Sequence, residues 1–308
     1  MPSNKSKPKP KPSSELVPAH EWAFEAIGTQ WWVGIYQPLS YQVLKSIQVL
    51  VTERIEVFDK TYSRFRDDSL VTLISHKIGR YAFPPDSNPL FGYYRALYDA
   101  TNGLVTPLIG QVLADAGYDA SYSLTPGVLS RPPGWDSVME FKAGQLTTQQ
   151  PVLLDFGAAG KGYLIDIISQ IITDAGVTAY CVDGSGDMHC QNLPEPLRIG
   201  LENPDNLNQA LGVATLRQGA LCASSGSRRQ WAGYNHILNP QDLQSPMGIK
   251  AVWTTAQTAM EADGLATALF FVEPAQLQEQ FSFSYAVLYA DNTMKRAADF
   301  PAEVFTNE

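Results

Sequence analysis

The chain of 308 residues is 44% hydrophobic and carries a net charge of −9. That is enough apolar material for one large domain or two ordinary ones. Lys5, Lys7, Lys9 and Lys11 precede the first acid, Glu15; taking these four from the 22 basic residues leaves 18 against 31 acids, a net −13 that argues against nucleic acid as a partner.

The opening "MPSNKSKPKPKPSSE" alternates lysine with proline and has almost nothing to bury. Residues 1–20 are therefore expected to be a disordered tail, and residues 21–308 one folded domain with room for two subdomains. No run approaches the ~18 apolar residues of a membrane span, and the N-terminus lacks the apolar stretch of a secretory signal. No membrane span and a cytoplasmic location are the expectations. Cys181, Cys190 and Cys222 cannot all pair, and "CVDGSGDMHC" fits no familiar zinc spacing, so buried free thiols are expected.

Along the chain, "EWAFEAIGTQWWVGIYQ" (21–37) predicts two strands around a Gly-Thr break. Leu44, Ile47, Val51, Ile55 and Phe58 recur at helical spacing and predict a helix over 41–60. Residues 88–117 read as helical with an interruption at "TNGLVTP", and "SVMEF" and "GQLTTQ" as short strands. A strand ending at Leu154 leads into the turn "DFGAAGKG" and a helix with Leu164, Ile167, Ile168, Ile171 and Ile172 inward, stopped by Gly176. Strands at 178–183, 196–201 and 211–223, the helix "MEADGLATALF" (260–270) and the strand "SYAVLYA" complete the series. Strands and helices do not alternate regularly, which predicts an α+β fold with largely antiparallel sheets rather than a doubly wound parallel one.

Three stretches can carry chemistry. Asp263 stands among small and apolar residues, and Thr267 lies one turn further on the same helix face. A carboxylate beside a hydroxyl is half of a Mg²⁺ site; a solvated helix face, or an acid favoured by the helix dipole, is the alternative. In "DFGAAGKG", three glycines, a helix N-terminus and Lys161 make a phosphate seat with free N–H groups, or a structural turn with a surface lysine. It is neither a Walker A loop nor a dinucleotide fingerprint. "ASSGSRRQWAGYNHILNPQ" (223–241) brings small hydroxyl residues, two arginines and His236 together, and Asp187 in "VDGSGDMHC" is either a ligand-orienting acid or a plain hairpin acid.

Taken in order, "AIGT", "DFGAAGKGYLID", "ASSGSRRQW…NHILNP" and "AMEADGLATALF" resemble the FAD:protein FMN transferases of the ApbE family, over roughly residues 22–290. "YSRFRDDSLVTLIS" (62–75) and "GLENP" (200–204) extend the resemblance. It implies an α+β fold around a central FAD cleft, with Mg²⁺ as cofactor and FAD as substrate. The implied reaction moves FMN from FAD onto a Thr or Ser hydroxyl of an acceptor flavoprotein and releases AMP. Hydrolysis of FAD to FMN and AMP, or FAD binding without transfer, are the alternatives. Carried over by position, the metal falls on the Ala158 carbonyl and the Asp263 and Thr267 side chains. FAD contacts fall on Ile27, Gly28, Thr29, Thr106, Lys161, Ser225 and Gly226. Asp263 and His236 take the catalytic roles, His236 as a proton acceptor titrating near neutrality. Thr106 and Asn239 stand where the family carries acids, and Gly160 replaces a larger residue; these departures bear on flavin affinity and partner choice.

Overall fold

In the computed structural model, which describes residues 16–305, eight strands build one sheet whose spatial order is their chain order. They are β1 (His20–Ala26), β2 (Thr29–Ile35), β3 (Tyr180–Gly184), β4 (Asp187–Gln191), β5 (Gly219–Ser225), β6 (Ile249–Ala256), β7 (Ser284–Tyr289) and β8 (Met294–Arg296). Every neighbouring pair is antiparallel. The architecture is α+β, as expected from the sequence.

The sheet is buried on both faces because successive residues point to opposite sides. Trp31, Val33 and Ile35 of β2, Tyr180 and Val182 of β3 and Val252 of β6 face one apolar cluster. Cys181 of β3, Trp253 of β6 and Ala286 and Leu288 of β7 face a second. Four helices fill the first face: α1 (Tyr41–Tyr62), α2 (Asn88–Ala100), α3 (Gly160–Asp174) and α4 (Ala259–Ala268). They contribute Ile47 and Val51, Leu90 and Leu97, Leu164 and Ile168, and Leu265, all buried. Each such side chain is worth about 1.5–3 kcal/mol when fully buried. The second face packs on a three-stranded sheet of Leu197–Asn203, Asn206–Leu216 and Ala302–Val304.

Several boundaries differ from the expectations. Residues 1–15 of the expected tail lie outside the described residues; Leu16 packs on the second cluster and His20 opens β1. The expected strand 211–223 is two strands that end at Leu216 and restart at Gly219. "SVMEF" is half helix: Trp135–Val138 forms one turn before a strand over Met139–Lys142. Ile167 and Ile171 are half-buried rather than fully inward. Among the described residues, no helix is long and apolar enough to cross a membrane.

Candidate functional site

The turn before α3 is tied down by five hydrogen bonds. Asp155 receives Arg64 Nε on Oδ2 at 2.5 Å and Gly157 N on Oδ1 at 2.7 Å, and its own N–H donates to the Pro107 carbonyl at 2.8 Å. Ala159 N donates to the buried Tyr94 hydroxyl of α2 at 3.2 Å. Gly160 N donates to the Phe156 carbonyl at 2.7 Å. The amides of Gly157, Ala159 and Gly160 are thus already committed within the fold rather than free for a phosphate.

The next contact fixes the site. A Cβ on Gly162 would lie 2.1 Å from the Ala259 carbonyl oxygen and 2.8 Å from Asp263 Cβ, so only glycine lets α3 and α4 approach this closely. Gly162 N uses that proximity to donate to Asp263 Oδ2 at 2.9 Å. Asp166, one turn along α3, accepts Ala259 N and Met260 N at 2.8 Å each, satisfying amides at the start of α4. Thr258 caps the same end by accepting Glu261 N at 3.2 Å, and Thr254 of β6 donates to the Ala262 carbonyl at 2.6 Å. Burial pushes the Asp166 carboxyl up to about 7 against the pull of its two backbone donors.

Held this way, α4 presents Asp263 and Thr267 to the glycine turn. Thr267 Oγ1 lies 3.5 Å from the Ala158 carbonyl oxygen. Asp263 is only 4% exposed. Burial, reinforced by the Asp187 carboxylate, pushes its carboxyl well above the ordinary range, while Lys161 and the Gly162 amide pull the other way. A buried carboxylate, a hydroxyl and a carbonyl are hard oxygen donors that suit Mg²⁺. Among the described residues, no group of three or more His, Cys, Asp or Glu side chains could hold a metal. An ion here would therefore rest on the backbone carbonyl and the hydroxyl as well as on Asp263, with a ligand's phosphate oxygens completing its shell.

Lys161 points from α3 toward β4, where its Nζ is 2.5 Å from Asp187 Oδ2. Burial alone would lower the ammonium pKa; Asp187 and Asp263 outweigh it and raise it. Asp187 is 1% exposed and also accepts Ala223 N from β5 on Oδ1 at 2.8 Å. Asp187 is therefore a buried partner of Lys161 and of the β5 backbone rather than a solvent-facing hairpin acid. The signal was faint, an acid at the start of the apolar strand "DMHC", and only the pairing of β4 with β5 turns it inward.

The other expected residues are placed as follows. Thr106 is buried, accepts Leu108 N at 3.2 Å and precedes the Pro107 that holds Asp155, so it borders the turn. Ile27 and Gly28 form the β1–β2 turn, and Thr29 donates back to the Ala26 carbonyl at 3.3 Å. That turn lies at the sheet end that also carries Asp187, since Trp31 pairs with Gly184. Ser225 Oγ donates to the Lys250 carbonyl at 3.0 Å and contacts Ser227 Oγ at 2.8 Å, and Gly226 lies against the Asn235 carboxamide. Ser225 and Gly226 thus shape the loop leading to His236.

His236 departs from expectation. Burial, with the charges of Arg229 and Lys161, lowers its imidazole to about 4, Asp155 opposing. Its Nδ1 is buried and has no hydrogen-bond partner. The ring is neutral at physiological pH and free to accept a proton, but it does not titrate near neutrality. Between pH ~6.5 and ~4 the native chain binds fewer protons at His236 than the unfolded chain does, so this residue's share of stability is lost as pH falls through that window. An NMR titration of the His236 ring in the FAD-free protein should give a midpoint of about 4; a midpoint near 6.5 would contradict this environment.

The ApbE family profile matches residues 27–286. The chain is 27% identical over 138 residues to the FAD:protein FMN transferase of Klebsiella pneumoniae (strain 342), covering 42% of this chain and 39% of that protein. It is 22% identical over 190 residues to the FAD:protein FMN transferase of Rhodobacter capsulatus, covering 57% and 36%. The chain thus matches about two fifths of the length of these curated relatives. Its fold superimposes on the ApbE protein of Thermotoga maritima with a TM-score of 0.80 at 20% identity, covering 92% of this chain and 99% of that one. For the flavin transferase ApbE of Vibrio cholerae the TM-score is 0.73 at 17% identity, covering 91% and 97%.

Proposed function

Because this chain belongs to the ApbE family, we propose that it transfers FMN from FAD to a Thr or Ser hydroxyl of an acceptor flavoprotein and releases AMP, with Mg²⁺ as cofactor. The observation that carries this reading is the convergence of the Ala158 carbonyl, Thr267 and buried Asp263 beside Lys161.

When bound, Mg²⁺ supplies Lewis-acid neutralisation of charge on the FAD diphosphate. Ala158, Asp263 and Thr267 hold it. Lys161 holds phosphate oxygens, and Asp187 sets where its ammonium sits. The acceptor hydroxyl oxygen bonds to the FMN-side phosphorus as the bond from that phosphorus to the bridging oxygen breaks. Nδ1 of His236 takes the hydroxyl proton, and AMP leaves with the bridging oxygen. A neutral, unpartnered imidazole suits that role, and its weak basicity puts proton transfer late, when the attacking hydroxyl has become acidic.

The test is incubation of the chain with FAD, Mg²⁺ and a candidate acceptor, read by flavin fluorescence of the denatured acceptor band and by AMP. A fluorescent acceptor with matching AMP is the expected result. Free FMN and AMP without a labelled acceptor would replace transfer by hydrolysis, and intact FAD across a panel of acceptors would overturn the enzymatic reading.

A further inference from the structure

We propose that Cys181 and Cys190 form a redox-active dithiol site that closes to a cross-strand disulfide when it meets a disulfide oxidant. The site lies in the β3–β4 hairpin and is independent of the flavin reading. Register supplies the first argument. β3 and β4 are joined by the two-residue turn Ser185–Gly186, with φ of +65° and +104°, and Gly184 pairs with Asp187 across it. In such a turn the flanking pair is hydrogen-bonded, and the two pair types then alternate along the ladder. Cys181 pairs with Cys190 three steps further on, which makes theirs a non-hydrogen-bonded pair. There the Cα atoms are about 4.5 Å apart and the side chains closest, within the ~4.4–6.8 Å that a disulfide spans.

Side-chain placement supplies the second argument. Both cysteines project into the same apolar cluster and are 0% exposed, and their sulfurs lie 2.6 Å apart, inside van der Waals contact. The chain's other cysteine, Cys222, belongs to the cluster on the opposite face and directs its thiol to the Ala259 carbonyl at 3.5 Å. It serves as an internal control.

The chemistry is thiol–disulfide exchange with a low-molecular-weight disulfide. One cysteine thiolate attacks a sulfur of the oxidant and releases one thiol. The second attacks the resulting mixed disulfide, forms the Cys181–Cys190 bond and releases the other thiol. The two cysteines lose two electrons and two protons in total, and the oxidant leaves as two thiols. The S–H···S contact and burial keep the Cys181 thiol protonated, so the exchange enters through the opened hairpin or the folding chain. Once closed, the bond clamps the two strands whose turn end carries Asp187.

The experiment incubates the full chain with oxidised glutathione, once in the native state and once during refolding from urea. Each sample is denatured, alkylated and mapped by mass spectrometry. The expected product carries alkylation on Cys222 alone and a peptide linking Cys181 to Cys190; dithiothreitol restores alkylation at all three. The oxidised chain should melt a few degrees higher than the reduced one, and Cys190→Ala should remove that difference. Three alkylated cysteines after oxidative refolding, a linkage through Cys222, or a persistent glutathione adduct would each overturn the proposal.

Discussion

Asp263→Ala is expected to lower AMP release from FAD by at least ~10²-fold, the ~3 kcal/mol that losing one charge-stabilising group commonly costs. The loss should be larger still if the cation leaves with the carboxylate. The pH dependence of folding should change as well. Burial already penalises the Asp263 carboxylate and pushes its pKa up, so the native state binds a proton there that the unfolded chain gives up. Above the unfolded carboxylate range, near pH 4, wild-type stability therefore falls as pH rises. Removing Asp263 removes that decline, so the melting temperature of the FAD-free variant should vary less between pH 4 and 7 than that of the wild type, while the Gly162 amide loses its acceptor. Melting curves between pH 4 and 7 beside an AMP assay check both halves. A variant that loses activity only because it is unfolded, or one that turns over normally, would contradict the assignment.

Gly162→Ala should have the second largest effect. The added methyl would lie 2.1 Å from the Ala259 carbonyl, a backbone atom that can retreat only if α4 moves. Overpacking of this kind costs about 1–3 kcal/mol. Any shift of α4 carries Asp263 and Thr267 away from Ala158, and a misplacement of ~1 Å can cost ~10²-fold in rate. Stability and AMP release should therefore fall together, read by urea midpoint and turnover. If both are unchanged, the close approach of α3 and α4 does not position the site.

Much of this was legible in the sequence where a segment is buried on one side. The 3.6-residue spacing of Leu44, Ile47, Val51, Ile55 and Phe58 marks α1, and the apolar spacing after Lys161 marks α3, because each turns one stripe to the core. It failed for β6, "IKAVWTTA". A strand buried on both faces shows no alternation, so no period-2 pattern marks it. The same limit hid Asp187, whose inward position depends on pairing across the sheet. Asp263 and Thr267 were legible as a pair because a single helix turn links them. That Ala158 lies beside them depends on Gly162 and Asp166, contacts nearly a hundred residues apart in the chain. The lowered pKa of His236 was illegible, since it comes from burial and from Arg229 and Lys161 reaching one ring from different segments.

The central claim is that Ala158, Asp263 and Thr267 grip a divalent cation together with the diphosphate of FAD. Electron paramagnetic resonance of Mn²⁺, titrated into the protein with and without FAD, measures this without reference to turnover. Tight Mn²⁺ binding that requires FAD in the wild type and vanishes in Asp263→Ala is the result expected. Equal Mn²⁺ binding by the two proteins in the presence of FAD would contradict it.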